Sequence, residues 1–417
     1  MTESMARRGS STMMAQDQPL LEKQAASLSS EAKSLEEGTY VSVKSPTTWT
    51  KSALFSRNPS ISSETWMSHI KDKLLLSALT IPGTHDSAAF TYSWAPFVAT
   101  QTLDIQKQLD AGIRFFDLRC GIRDDILEMV HGSAVLGLRL DAVLDTMYSW
   151  LASHPTEAII AQIKRDRKEE NATTHFSQAI VKTVAARPER WRTANTTPTM
   201  GELRGRIQLF RRFEGPSLYA YGLDVTRWQD NPSRPFTIYT WHGIQITIQD
   251  HYSFPDPEPL PSLISKKGGD VAELLDRAVC DPCKDHWYIN FTSGFEFNLY
   301  YQITPRQVAV GGWHAFRWEE GMNIRLREYL TRHSGKRRYG VLAMDFPEAG
   351  TPDLVAAVIA SNFRKRRITT TLVLLCVALI MLLAMLCLSC AGKQPLASHW
   401  CASFLHACDL FGCHGAP

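Results

Sequence analysis

The sequence predicts a parallel α/β barrel over residues 66–363, followed by a single C-terminal transmembrane helix over residues 368–392. Short apolar runs rich in β-branched and aromatic residues recur through the central part: LLLSALTIPG, IRFFDLRCG, AIIAQIKRD, RIQLFRRF, FTIYTW, HWYINFTS and YGVLAMDF. Between several of them lie helical patterns. QTLDIQKQLDAG ends with Gly112 in C-cap position, and LDAVLDTMYSWLASHP carries apolar residues at helical spacing and stops before Pro155. Strands alternating with helices over such a length favour a barrel over a sandwich. Residues 368–392 contain no charged residue. At a rise of about 1.5 Å per residue, a helix of that length crosses a hydrocarbon core of roughly 30 Å. A core helix is seldom apolar on every face for so long.

Taken in chain order, residues 1–65 come first. They are rich in Ser, Thr, Lys and Glu without sustained periodicity, which reads as a disordered arm. The arm has no apolar stretch long enough for a signal peptide. Its Asp17-Gln18-Pro19-Leu20-Leu21 run matches a dileucine sorting signal, a pattern short enough to arise by chance. Behind the barrel, Arg364, Lys365, Arg366 and Arg367 precede the apolar span, and only Lys393 follows it closely. The positive-inside rule then puts the barrel in the cytosol and residues 393–417 on the far side, a tail-anchored topology in an unspecified organelle. The sequons at Asn171, Asn195 and Asn290 pull the other way, but a cytosolic domain would leave them unmodified. Nine cysteines are present, of which only Cys120, Cys280 and Cys283 precede the span. A secreted, disulfide-stapled domain would spread them through the fold. Cys280-x-x-Cys283 lacks the second pair a zinc site needs. A net charge of +3 without a basic, aromatic-interleaved stripe excludes a nucleic-acid partner.

Three short constellations carry chemistry. In Ile81-Pro82-Gly83-Thr84-His85-Asp86-Ser87, an apolar strand is expected to end in a Pro-Gly turn and present a histidine beside a carboxylate. Catalytic groups of barrels sit at such carboxyl ends of strands. In Phe115-Phe116-Asp117-Leu118-Arg119, alternation puts Asp117 and Arg119 on one side of a strand, where the acid can hold the guanidinium towards a phosphate. Val130-His131-Gly132 closes another apolar run, placing a second histidine on the adjacent strand. Any one of these is an ordinary surface or core feature. Together they put two imidazoles, carboxylates and an arginine at strand ends within one stretch of chain.

These pieces resemble the catalytic X region of bacterial-type phosphatidylinositol-specific phospholipase C, a distorted TIM barrel. Lys164 in IIAQIKRD, Arg212 in IQLFRRF, the Gln249-Asp250-His251-Tyr252 stretch, YINFTSGF and Asp345 in VLAMDFPE occur in matching order. The resemblance implies that His85 is the general base on the inositol 2-hydroxyl and His131 the general acid on the departing diacylglycerol oxygen. Asp345 would orient His85, Asp86 would pair with His131, and Arg119, held by Asp117, would stabilise charge on the phosphate. It also implies that Lys164, Arg212, Asp250 and Tyr252 line the inositol pocket, with neighbouring Arg211 an alternative to Arg212. Phe90, Tyr92, Trp94 and Phe97 in FTYSWAPF resemble the interfacial helix with which relatives grip lipid, although core packing accounts for such residues too.

Calcium-dependent relatives carry asparagine after the first histidine. Here Asp86 stands there, and Arg119 occupies the place of the ion's charge, so no metal or other cofactor is expected. The expected partners are a phosphatidylinositol lipid and the bilayer, with no obligate protein partner evident. Three alternatives stand beside this reading. One is an enzyme cleaving glycosyl-phosphatidylinositol anchors. Another is a catalytically silent lipid-binding scaffold, disfavoured because the whole set of site residues is present. The last is a glycerophosphodiester phosphodiesterase, which would want metal-binding carboxylates near the first histidine.

Overall fold

The strands at the centre are apolar on both faces, which is what a sheet wrapped by helices requires. In a computed structural model of the chain, β1 (Thr80–Thr84) precedes α1 (Ile105–Asp110) and a meander of β2 (Phe115–Arg123), β3 (Ile126–His131) and β4 (Ala134–Arg139). Then come α2 (Leu140–Ser153), β5 (Ile159–Arg165), α3 (Phe176–Ala185), β6 (Trp191–Arg192), α4 (Met200–Leu203), β7 (Ile207–Arg212) and β8 (Leu223–Asp224). A hairpin of β9 (Phe236–Tyr239) and β10 (Gln245–Gln249) leads into α5 (Leu260–Cys280) and β11 (Trp287–Phe291). The last third holds β12 (Glu296–Phe297), β13 (Gln302–Ile303), α6 (Pro305–Val310), β14 (Gly311–His314), β15 (Arg317–Glu320), α7 (Met322–Arg332), β16 (Gly340–Met344) and α8 (Leu354–Ala360). The structure describes residues 61–363, apart from residues 93, 216, 217, 219 and 334–336, together with residue 381. Residues 1–60, the basic segment 364–367, the expected membrane span and the tail 393–417 lie outside the described residues, residue 381 excepted. No helix among the described residues is long and apolar enough to cross a membrane.

The hydrogen-bonded path runs β6-β7-β5-β2-β1-β16-β11-β10-β9. From β7 to β10 every pairing is parallel, as a barrel demands. Two departures distort it. β9 is antiparallel to β10, and among the described residues no pairing closes the sheet between β9 and β6. The expected barrel is therefore a TIM-type one left open at that seam, built on a mixed α/β sheet. β1, β11 and β16 are buried along their whole length, and Phe115, Phe116, Leu118, Phe210 and Trp287 fill the interior. Each such side chain contributes about 1.5–3 kcal/mol by leaving water.

The sequence patterns and the structure differ in three local respects. The expected strand LLLSALTI is largely not one. Leu76–Ala78 forms a single 3-10 turn, and β1 instead contains Pro82 and Gly83. Gly83 is needed there because a Cβ would come within 2.9 Å of the Phe115 side chain on the neighbouring strand. The arm also gives way to the fold earlier than residue 65. Ser63 Oγ donates to the Asp110 carbonyl, and the Ser63 and Glu64 carbonyls accept from the buried Arg114. Finally, residues 87–92 and 94 are turns rather than an interfacial helix. The two helices read from pattern are present. Asp104 caps α1 by accepting from Lys107 N, Gly112 follows with φ +104°, and α2 ends at Ser153, just before Pro155.

Candidate active site

Register assembles the site. Thr84 of β1 pairs with Met344 of β16, so the next residues, His85 and Asp345, leave adjacent strand ends side by side. On the other flank, Arg119, Lys164 and Arg212 are in register across β2, β5 and β7, setting three cations in a row. His131 ends β3, which pairs antiparallel with β2 as the expected adjacent strand. Asp250 follows β10, so the site occupies the carboxyl ends of the parallel strands.

The six residues expected to form the catalytic set meet there. His85 Nδ1 lies 2.8 Å from Asp345 Oδ1, and His85 Nε2 lies 2.8 Å from Arg119 Nη2. A guanidinium can only donate, so Nε2 presents a lone pair and Nδ1 carries the hydrogen. Arg119 Nε donates at 3.1 Å to Asp117 Oδ2, the intra-strand pairing that alternation implies, and lies in an ion pair 2.9 Å from Asp86 Oδ1. Asp117 is fixed in turn by Gln162 Nε2 at 2.7 Å and by the Asp86 amide at 3.2 Å. His131 Nδ1 donates to the Val98 carbonyl at 2.8 Å, turning its Nε2 towards Asp86 Oδ2, 3.4 Å away. That oxygen also lies 3.3 Å from His85 Nε2 and has no hydrogen-bond partner of good geometry. The two imidazoles stand 6.5 Å apart, centroid to centroid.

Burial and charge sort the protons. Burial, then Arg119 and His131, push His85 well below its ordinary 6.5, so it rests as a neutral base. Burial raises Asp86 to about 6 against the pull of Arg119 and His131. For Asp117 burial is overcome by Arg119, Arg212 and Lys164, which hold it below the carboxylate range. Burial pushes Asp345 up and Asp86 adds to the push, while Arg119 and Lys267 pull it back. Against burial, Asp86 and Asp117 bind the proton of Arg119 more tightly still. The result is a neutral base, a permanent cation beside it and a second imidazole whose Nε2 faces the same carboxylate. This is equipment for moving one proton off an attacking hydroxyl and another onto a leaving oxygen.

His85, Asp86 and Asp117 each offer one ligand atom, and those atoms lie within 4.8 Å of one another, close enough to hold a metal ion. Arg119 already engages all three side chains, by hydrogen bonds to His85 and Asp117 and an ion pair with Asp86. A dication would have to displace a cation, so the donor set does not fit calcium well.

The expected headgroup residues fall into place less uniformly. Arg212 stacks on Trp228 at 4.1 Å and lies 4.0 Å from Asp250 Oδ2, which also accepts from Trp228 Nε1 at 2.8 Å. Arg211 is excluded as a substitute for Arg212, since it is spent on Asp224 and on the Tyr221 and Phe213 carbonyls. Lys164 pairs with Asp166, which also accepts from Gly132 N beside His131. Tyr252 donates to Asp230 and stacks on Phe295, with ring centroids 5.8 Å apart. Of the aromatic run, Phe90 and Tyr92 pack against the core, Phe97 meets Phe297 edge-on, and only Trp94 is exposed. Sequence reasoning missed Trp228, Gln162, Asp166, Phe291 and Lys267. It also missed the exposed Trp313, Phe316 and Trp318 of the β14–β15 hairpin, whose turn puts Ala315 and Phe316 at positive φ.

Barrel and cluster define a class of protein: a TIM-type barrel with a histidine pair and a clamped guanidinium at the strand ends. Residues 73–209 match the family model PI-PLC X 1. That stretch, about a third of the chain, is where the likeness to the PI-PLC X domain family lies. The chain is 29% identical over 335 residues to the 1-phosphatidylinositol phosphodiesterase of Staphylococcus aureus (strain Newman), covering 75% of this chain and 99% of that one. The enzyme of that name from Listeria monocytogenes is 26% identical, over 70% of this chain and 84% of its own. A solved structure of a mutant phosphatidylinositol-specific phospholipase C from Staphylococcus aureus superposes with a TM-score of 0.63 at 27% identity. The match covers 74% of this chain and 99% of that one.

Proposed function

We propose that the protein is a phosphodiesterase cleaving phosphatidylinositol-type lipids to inositol 1,2-cyclic phosphate and diacylglycerol. The observation that carries this reading is the placement of Arg119, hydrogen-bonded to His85 and Asp117 and ion-paired with Asp86 at once. In this mechanism the inositol 2-oxygen attacks phosphorus and its proton passes to His85 Nε2. The bond from phosphorus to the diacylglycerol oxygen breaks, and the proton of His131 Nε2 goes to that oxygen. Asp345 orients His85 through Nδ1, and Asp86 faces the charged His131. Arg119 neutralises the non-bridging oxygens, a role that preorganised donors fill at about 10²–10³-fold in rate each. Lys164, Arg212, Asp250 and Tyr252 bind the ring hydroxyls.

The same reading extends to the bilayer. Residues 368–392 form a transmembrane anchor, with the basic residues 364–367 drawn to anionic lipid and the barrel facing the cytosol. Trp94 and the β14–β15 hairpin, which leads directly into α7 next to the Asp345 end of the barrel, supply interfacial aromatic contacts.

The test is to incubate the full chain with phosphatidylinositol in mixed micelles and excess EDTA, following products by phosphorus NMR, with His85→Ala as control. A cyclic phosphate resonance that disappears in the variant is expected. Activity that needs added calcium overturns the role given to Arg119, and silence of a folded protein under both conditions favours the lipid-binding scaffold.

A further inference from the structure

Helix α5 carries a charge in the middle of its apolar face. Leu260, Leu263, Ile264, Val271, Leu274 and Leu275 repeat at helical spacing and are buried, and Lys267 stands in the same row with no exposed surface. An ammonium stripped of water persists only where acceptors and opposite charge replace its hydration. Lys267 Nζ donates to Gln249 Oε1 at 3.0 Å and to the His251 carbonyl at 2.7 Å. The charged and titratable groups facing it are Asp250 and His251 in the turn after β10, Asp270 on α5, and Asp345 after β16. His251 is itself tied to Asp270, 2.8 Å from Nδ1 to Oδ2. Burial lowers Lys267 to about 8 while Asp250, Asp270 and Asp345 resist the shift.

The partners of Lys267 lead to both halves of the site. The Gln249 amide has its groups committed: its oxygen accepts from Lys267 and from His251 N, and its nitrogen donates to Asn290 Oδ1 and the Phe291 carbonyl, both at 3.0 Å. The Phe291 ring stands edge-on to His85 and to Trp228, each at 5.7 Å. Trp228 holds Asp250 and underlies Arg212. One ammonium thus secures the turn that bears Asp250 and Tyr252, and through Gln249 the end of the strand that packs on His85.

We propose that Lys267 is a positioning residue, fixing the spacing between the ring-binding edge at Asp250 and the acid–base edge at His85. The ring-binding half of this statement rests on the function proposed above; the effect on His85 does not.

The experiment uses the full chain with Lys267→Met, and Lys267→Gln as the variant kept in case methionine prevents folding; thermal unfolding establishes that each is folded. The first readout needs no substrate: NMR titration of the His85 ring in detergent micelles. Lys267 lowers the proton affinity of His85, so its neutral replacement moves the His85 midpoint upward. The second readout is kinetic. kcat/KM on phosphatidylinositol is expected to fall by about 10- to 100-fold, carried mainly by KM, as for displaced substrate contacts. A folded variant with an unmoved His85 midpoint and an unchanged KM overturns the proposal. If the wild type itself fails to cleave phosphatidylinositol, the function reading falls, and the His85 titration alone still decides for or against Lys267.

Discussion

Asp86 sits at φ +40°, a conformation that costs a non-glycine residue about 1–3 kcal/mol, and its buried Oδ2 faces two imidazoles without a well-directed hydrogen bond. Both features oppose stability and both serve the site. Turning the backbone at Asp86 lets its carboxylate reach Arg119 and His131 together while its amide donates to Asp117. Its raised value also has a definite sign for folding. A carboxyl shifted from 3.8 to about 6 favours the native state while protonated, so that contribution is full below 3.8 and is lost as pH rises through about 6. At neutral pH the fold therefore holds an ionised carboxylate at some cost. Catalysis runs in the opposite sense, because a protonated Asp86 no longer balances a charged His131. We predict that kcat/KM for phosphatidylinositol falls as pH drops through about 6. His85, pushed below its ordinary range, contributes only at lower pH. In Asp86→Asn this acid limb should vanish, with activity at pH 7 reduced by about 10²-fold or more. A variant that keeps the limb would assign it to another group.

Helix α7 shows how one element can hold a catalytic turn. Its second residue, Asn323, is fully buried, and Nδ2 donates to the carbonyls of Asp345, Phe346 and Ala349, at 3.1, 2.8 and 3.2 Å. Phe346 itself lies at φ +44°, so the chain after β16 bends sharply just beyond the residue that orients His85. Asn323→Ala removes the side-chain donor of the Asp345 and Ala349 carbonyls, while the Phe346 carbonyl keeps its bond from Ala349 N. Urea unfolding should register a loss of about 1–3 kcal/mol, with kcat lowered more than KM; an unchanged kcat would make Asn323 purely structural. Elements differ in the same way in how legible they are in the sequence. Asp117 and Arg119 could be read because strand alternation fixes sides, and α1 and α2 because capping and stop signals bounded them. Pro82 and Gly83 misled because they commonly mark turns, whereas the close approach of Phe115 requires Gly83 within a central strand. Asn323 gave no local signal, since its partners are carbonyls distant in sequence. Lys267 did: a lysine in the apolar row of an amphipathic helix is a visible conflict between pattern and burial. The seam between β9 and β6 depends on long-range pairing, which periodicity does not encode.

At the scale of the whole molecule, the side of a membrane on which the barrel works would select between lipids of the cytosolic leaflet and anchors displayed on the other side. The fold narrows the test. Of the sequons, Asn290 is fully buried, with Nδ2 donating to the Val271 carbonyl and Oδ1 accepting from Gln249, so the folded domain cannot present it for glycosylation. Asn195 is buried as well. Asn171 is exposed, in a turn with positive φ, which makes it the informative acceptor. With the basic residues 364–367 ahead of the apolar span, the barrel is predicted to face the cytosol and Asn171 to stay bare. Expression of the full chain in cells, with and without Asn171→Gln, should then give the same mobility before and after endoglycosidase treatment. A shift on treatment that Asn171→Gln abolishes would place the barrel on the lumenal or outer side. The catalytic arrangement would be untouched by that result, but its substrate would become a glycosyl-phosphatidylinositol, and the ring-binding edge at Asp250 and Tyr252 would have to leave room for a glycan.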